Sequence, residues 1–183
     1  MNFPLTVIAG PTAVGKGSVV AYIKEHFPDV HLSVSATTRK PRPGEVEGVN
    51  YFFMTTEQFD ELIDSGQMLE HATVHGTNKY GTPRQPVEQA LAAGKLVILE
   101  IDIQGARQVK AAMPSARTIF IAPPSWDELV RRLTSRGTET AEEQAIRLET
   151  AREELAAQGE FDYVVINDEV ARCAAEVVEL VKA

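Results

Sequence analysis

Positive charge is in short supply in this chain. Its 183 residues carry 18 Lys and Arg against 26 Asp and Glu, for a net charge of −8. Such a balance argues against a general binder of nucleic-acid polymers or of anionic membrane surfaces. Cysteine is scarcer still: Cys173 stands alone. It cannot close an internal disulfide, and its place beside Ala174 and Ala175 suits a buried structural residue better than a nucleophile. Long apolar runs are missing, and the first residues, Met-Asn-Phe-Pro-Leu-Thr, lack the positive segment of an export signal. A cytoplasmic location is expected. There is no internal repeat and no low-complexity tract.

What is present is informative. Apolar residues make up 44% of the chain, enough for one well-formed core. The few basic residues are clustered: Arg39, Lys40 and Arg42 in one place, Arg131, Arg132 and Arg136 in another. Tight basic clusters on an acidic protein suit a small anionic ligand.

Gly10-Pro-Thr-Ala-Val-Gly15-Lys16-Gly17 fits the pattern G-x-x-x-x-G-K. An apolar run (5–9) reads as a buried strand before it, and residues 17–27 read as a helix after it. That is the context a phosphate-binding loop requires. Its consecutive N–H groups turn inward, the helix start adds partial positive charge, and Lys16 reaches the outer phosphates. The loop departs from the usual motif after the lysine. Gly17 occupies the place of the usual Ser or Thr, and Ser18 comes one residue later.

The rest alternates strand and helix. Strands are expected at 32–36, 51–54, 68–74, around 79–80, and at 96–101, 118–121 and 163–166. Helices are expected after Thr55, over 83–93, 106–113, after Ser125, over 138–157 and over 170–181. Thr55 with Gln58 and Ser125 with Glu128 have the spacing of helix N-terminal caps. Residues 96–101 read as a parallel strand buried on both faces, with Glu100 and Asp102 at its C-terminal end. The pattern specifies an α/β fold with a mostly parallel sheet, whose ligands sit at the C-terminal strand ends. Residues 35–83 interrupt the alternation as a small β-rich insert. Residues 125–158 form a charged helical segment placed like a lid.

Several segments resemble guanylate kinases. They are Ser-Val-Ser-Ala-Thr-Thr-Arg (33–39), Pro-Arg-Pro-Gly-Glu (41–45), Gly-Val-Asn-Tyr (48–51), Leu69-Glu70 and Tyr80-Gly-Thr82. Further along come Ile-Leu-Glu-Ile-Asp-Ile-Gln-Gly (98–105), Ile-Ala-Pro-Pro-Ser (121–125), Arg-Gly-Thr-Glu-Thr (136–140) and Val-Ile-Asn-Asp (165–168). The resemblance spans residues 5–181.

It implies a three-layer core of the P-loop NTPase type (about 1–34, 84–124 and 159–183), a GMP-binding lobe (35–83) and a helical lid (125–158). The implied reaction moves the γ-phosphoryl group of ATP to GMP or dGMP with Mg²⁺. By the same resemblance, Gly10, Pro11, Thr12, Ala13, Val14, Gly15, Lys16, Gly17 and Ser18 hold the ATP phosphates, with Asn167 near the adenine. Arg39, Arg42, Glu45, Tyr51 and Tyr80 serve the GMP phosphate end. Ser35, Glu70, Thr82 and Asp102 read the guanine. Lys16, Arg132, Arg136 and Arg147 are the catalytic cations, and no residue is assigned as a direct metal ligand. The expected partners are ATP and GMP, with no obligate protein partner.

Residue chemistry agrees with these roles. Guanine presents two adjacent donors, and a carboxylate accepts both. Arginine forks match phosphate oxygens. Taken singly, each residue has a plainer reading: Tyr51 and Tyr80 as core aromatics, Glu70 as a solvated strand carboxylate, Arg132 as the helical partner of Glu128, Asn167 as a cap. His26, His31, His71 and His75 read as surface or structural. The competing function is a guanylate-kinase-like binding module without catalysis, which the presence of Lys16 and Arg136 disfavours.

Overall fold

The computed structural model describes residues 4–74, 76–135 and 140–183. At its centre lies a five-stranded sheet with the order β2-β7-β1-β8-β9, every neighbouring pair parallel. Its strands are β1 (Thr6–Ala9), β2 (Val30–Leu32), β7 (Leu96–Glu100), β8 (Arg117–Ala122) and β9 (Tyr163–Ile166). Alternation along each inner strand divides the core in two. Ile8, Ile98, Ile119 and Ile121 face one cluster, with α1 (Lys16–His26), α5 (Trp126–Thr134), α6 (Ala141–Ala156) and α7 (Val170–Lys182). Val7, Ala9, Val97, Leu99, Phe120 and Ala122 face the other, with α3 (Arg84–Ala92) and α4 (Ile103–Ala112). Helices therefore cover both faces of a sheet whose central strands are mostly apolar. Cys173 lies fully buried on α7, where burial pushes its thiol up to about 11.

A second sheet has the order β4-β3-β6-β5, from β3 (Ala36–Thr37), β4 (Phe52–Phe53), β5 (Met68–Val74) and β6 (Asn78–Pro83). β3 runs parallel to β4 and antiparallel to β6, and β5 is antiparallel to β6. Its small core is Ala36, Phe59 and Met68, edged by Phe52, Met54, Leu62 and Ile63. Phe59 comes from α2 (Thr56–Asp64), whose start is a complete capping box: Thr55 accepts from the Gln58 N–H, and Gln58 reaches back to the Thr55 N–H. A buried side chain of this size contributes about 1.5–3 kcal/mol, so Phe59 matters greatly to so small a cluster.

The expected strand at 32–36 divides here. Leu32 ends β2, and the Ser33 N–H still reaches the Ile98 carbonyl at 2.9 Å. By Ala36 the chain has joined the second sheet. One alternating segment thus serves two sheets, with Ser33, Val34 and Ser35 as the passage between them. α4 also starts earlier than expected, because Asp102 caps it by accepting the Gly105 N–H at 2.6 Å. α6 starts at Ala141 behind a Thr140–Glu143 capping box.

Candidate active site

β1 delivers the chain to a loop at the C-terminal edge of the central sheet, and α1 carries it away. Gly10 is required by contact: a Cβ there would lie 2.4 Å from the Ile121 carbonyl oxygen of β8. Ala13 and Gly15 take left-handed backbone angles, φ 62° and 94°. The result is a nest of inward N–H groups. Among the described residues, the N–H groups of Ala13, Gly15, Lys16 and Gly17 donate to no protein acceptor. Lys16 folds over the loop, its ammonium donating to the carbonyls of Gly10 (2.7 Å) and Pro11 (3.4 Å). Burial pushes that ammonium below its ordinary value, while Glu100, Glu154 and Asp102 pull it back up. Burial likewise raises Glu100, opposed by Lys16.

The loop is held from outside by side chains far along the chain. The Val14 carbonyl accepts from Arg132 Nη1 at 3.0 Å and from Asn167 Nδ2 at 2.9 Å. Arg132 also donates to the Asn167 carbonyl at 3.1 Å and to Glu128 at 2.8 Å. So the plainer reading of Arg132 as partner of Glu128 is realised, and the same guanidinium braces the loop. Asn167, only 3% exposed, is a second brace rather than a helix cap; Glu169 holds the cap position of α7. The Thr12 N–H donates to Glu154 Oε2 of α6 at 2.8 Å. Arg147 lies on α6, partly buried. Arg136 lies outside the described residues, as does His75. His26 stacks on Tyr22 and bonds to its carbonyl.

A second cluster forms where β5, β6 and the start of α4 meet. Glu70 is buried, and Thr82 donates its hydroxyl to Oε1 at 2.7 Å. Gly105 lies between the two carboxylates: a Cβ there would be 3.1 Å from Glu70 Oε2 and 3.2 Å from Asp102 Oδ1. Burial raises Glu70 above the usual carboxylate value; Thr82 lowers it and Asp102 adds to the rise. Asp102 is therefore within electrostatic reach of both Glu70 and Lys16.

A third cluster gathers Arg39, Glu45, Tyr51 and Tyr80. Arg39 makes a bidentate pair with Glu45 at 2.9 and 3.0 Å, and its guanidinium lies 5.4 Å from the Tyr51 ring centre. Tyr80 meets Tyr51 edge to face at 6.0 Å. Glu45 also accepts the Arg42 N–H at 2.7 Å, and these bonds hold its carboxyl at about 2, far below the usual range. Ser35, Tyr51 and Glu100 share the wall of a cavity of about 560 Å³ with Lys24, His31 and Ser33.

Sequence reasoning missed Gly105, Glu100 and Glu154 as members of these clusters. The spacing of Asp102 to Gly105 is that of a cap and its donor, a signal present in the chain. Glu154 carried a signal too, since it falls seven residues after Arg147, on the same face of a helix.

The family model of guanylate kinases matches residues 3–183. The guanylate kinase of Leifsonia xyli subsp. xyli is 65% identical over 176 residues, covering 96% of this chain and 69% of that protein. That of Nocardia farcinica is 57% identical over 177 residues, covering 96% and 92%. A crystal structure of guanylate kinase from Anaplasma phagocytophilum superposes with a TM-score of 0.72 at 32% identity, covering all of this chain and 86% of the other. A loop fit for phosphates, the buried acceptor carboxylate of Glu70 with Asp102 close by, and these matches over nearly the whole length lead to one assignment: the chain belongs to the guanylate kinase family.

Proposed function

We propose that the protein transfers the γ-phosphoryl group of ATP to GMP, and to dGMP, giving ADP and GDP. An oxygen of the GMP phosphate forms the new bond to the γ-phosphorus, and the bond to the bridging oxygen of ADP breaks. The reaction needs alignment and charge neutralisation more than a strong base. In this reading the N–H groups of Ala13, Gly15, Lys16 and Gly17 receive the ATP phosphates. Lys16 meets charge on the migrating group, and Arg147, with Arg136, supplies further cations from the lid, residues 125–158. Arg132 and Asn167 keep the loop in shape. Arg39, Arg42, Tyr51 and Tyr80 take the GMP phosphate, and Glu45 holds Arg39 in its fork geometry. Ser35, Glu70, Thr82 and Asp102 select guanine.

Magnesium is assigned to the nucleotide. Gly17 offers no side-chain ligand, and nothing among the described residues lies within 4 Å of where its Cβ would stand, so the ion would be held by ATP oxygens and water, with Ser18 turned toward a phosphate. The ion would neutralise phosphate charge. No helix among the described residues is long and apolar enough to cross a membrane, and a cytoplasmic site for the reaction accords with the single free cysteine.

The observation that carries this reading is Asp102, whose Oδ1 stands with Glu70 Oε2 around Gly105 and whose charge also reaches Lys16. It supports a phosphate loop and a guanine pocket that adjoin. A coupled assay of ADP release with ATP and Mg²⁺ against GMP, dGMP, AMP, CMP and UMP tests it. ADP release with the guanine nucleotides alone is expected. No release above the acceptor-free background from folded protein overturns catalysis, and equal rates with AMP overturn the guanine pocket.

A further inference from the structure

We infer that Glu154 is a positioning residue that fixes the lid helix on the phosphate loop and thereby aims Arg147; this rests on the catalytic role given to Arg147 above. Glu154 Oε2 accepts the Thr12 N–H at 2.8 Å, a contact between residues 142 apart in sequence. It is a charged acceptor on a neutral backbone donor, the stronger class of such bonds. Glu154 sits near the end of α6, a helix of 16 residues.

The inner face of that helix comprises Gln144, Arg147, Leu148, Ala151, Glu154 and Leu155, all buried or half-buried, with Ala145, Ile146, Glu149, Thr150, Arg152 and Glu153 exposed. Ala151 is fully buried against the core, and Leu148 and Leu155 pack beside it. Arg147 and Glu154 therefore bracket Ala151 on one face. Seven residues are two turns, about 10.5 Å of rise with about 20° of rotation. An anchor at Glu154 thus sets both the height and the rotation of Arg147 relative to Thr12.

Apolar packing through Leu148, Ala151 and Leu155 leaves the helix free to rotate by small amounts, because dispersion contacts are non-directional. A hydrogen bond to a backbone N–H removes that freedom. The field of Glu154 also reaches Lys16. The anchor, the loop and the loop lysine form one contiguous unit, so a movement of α6 is registered where phosphate would bind.

The experiment is a double-mutant cycle in the full-length enzyme: Glu154→Ala, Glu154→Gln, Arg147→Ala and Glu154→Ala with Arg147→Ala. Kcat and both KM values are measured, with melting temperature as a check on folding. Glu154→Ala is expected to lower kcat by roughly tenfold or more while each KM moves by less than about threefold, the pattern of a lost transition-state alignment. Glu154→Gln keeps an acceptor oxygen and is expected to recover kcat to within about threefold. In the Arg147→Ala background the Glu154→Ala change is expected to cost less than about twofold, because its effect passes through Arg147.

Multiplicative losses in the double variant overturn the inference while leaving Arg147 its role. Full activity of Arg147→Ala overturns both. A lower ATP KM in Glu154→Gln with kcat unchanged also overturns it, and identifies Glu154 instead as an anion that competes with phosphate for the loop. Inactivity of Glu154→Ala together with failure of Glu154→Gln to recover overturns the anchor even if both variants melt normally.

Discussion

Thr82 and Glu70 stand opposite each other in the register of β6 and β5, and the threonine hydroxyl donates to the carboxylate at 2.7 Å. One of the two oxygens is thereby occupied, and Oε2, over Gly105, is the oxygen left for a ligand.

Replacing Glu70 with Gln is expected to raise the KM for GMP by the equivalent of roughly 2–3 kcal/mol, with the KM for ATP unchanged, because one charged acceptor is lost and an NH₂ faces a guanine donor. The pH dependence has a definite sign. Burial raises the folded-state pKa of Glu70 above its unfolded value, so the linked stability is full below the unfolded pKa and is lost as pH rises through the folded one. At neutral pH the ionised form costs stability. Glu70→Gln is expected to melt above the wild type at pH 7, the gap closing on acidification. Wild-type KM for GMP is expected to climb as pH falls through the raised pKa, a limb absent in the variant. A variant with unchanged KM for GMP removes Glu70 from base recognition.

Lys16→Ala is expected to lower kcat by about two decades or more, since removing one donor to developing charge costs about 2.7–4 kcal/mol. Binding of GMP, measured by calorimetry, is expected to survive. Near-normal turnover would make Lys16 no more than a clasp on the Gly10 and Pro11 carbonyls.

Gly17→Ser tests the assignment of Mg²⁺ to the nucleotide. The position is open, with nothing among the described residues within 4 Å of an added Cβ, so the fold accommodates the change. The Mg²⁺ concentration for half-maximal rate is expected to move by less than about tenfold. A larger drop would show that a hydroxyl there takes over as ligand.

Thr6, at the start of β1, is fully buried, and among the described residues its hydroxyl has no hydrogen-bond partner. Valine has nearly the same shape and no polar atom. Thr6→Val is expected to stabilise the protein by about 1 kcal/mol, seen as a rise in melting temperature of about 2–4 °C. A fall would mean that the hydroxyl is satisfied in solution.

Local signals were read well from the sequence. β9 occupies the four residues expected, and the caps at Thr55 and Ser125 form as their spacing requires. The alternation of strands and helices was enough to place the loop at Gly10 at a sheet edge. What escaped was non-local. Nothing near Glu154 or Arg132 in the chain announces Thr12 or Val14, because these bonds link residues 142 and 118 apart. The passage at Ser33 to Ser35 was equally hidden, since alternation is the same in one sheet as in two. The cap at Asp102 was legible, but the Glu100-Ile101-Asp102 run drew the strand reading past its end.

The strand order has a consequence for how the protein is made. β1 emerges from the ribosome before both its neighbours yet lies in the middle of the central sheet, between β7 and β8. Its partners begin at Ile98 and Arg117. Until those residues are synthesised, an apolar strand waits with both edges bare, open to pairing with other chains. The loop that follows it waits longer, because the Val14 carbonyl finds its donors only when Arg132 and Asn167 arrive. Truncated products of a stalled ribosome are therefore left with a sticky N-terminal strand and an unshaped loop. The nascent chain becomes competent for phosphate only once Asn167 has been made.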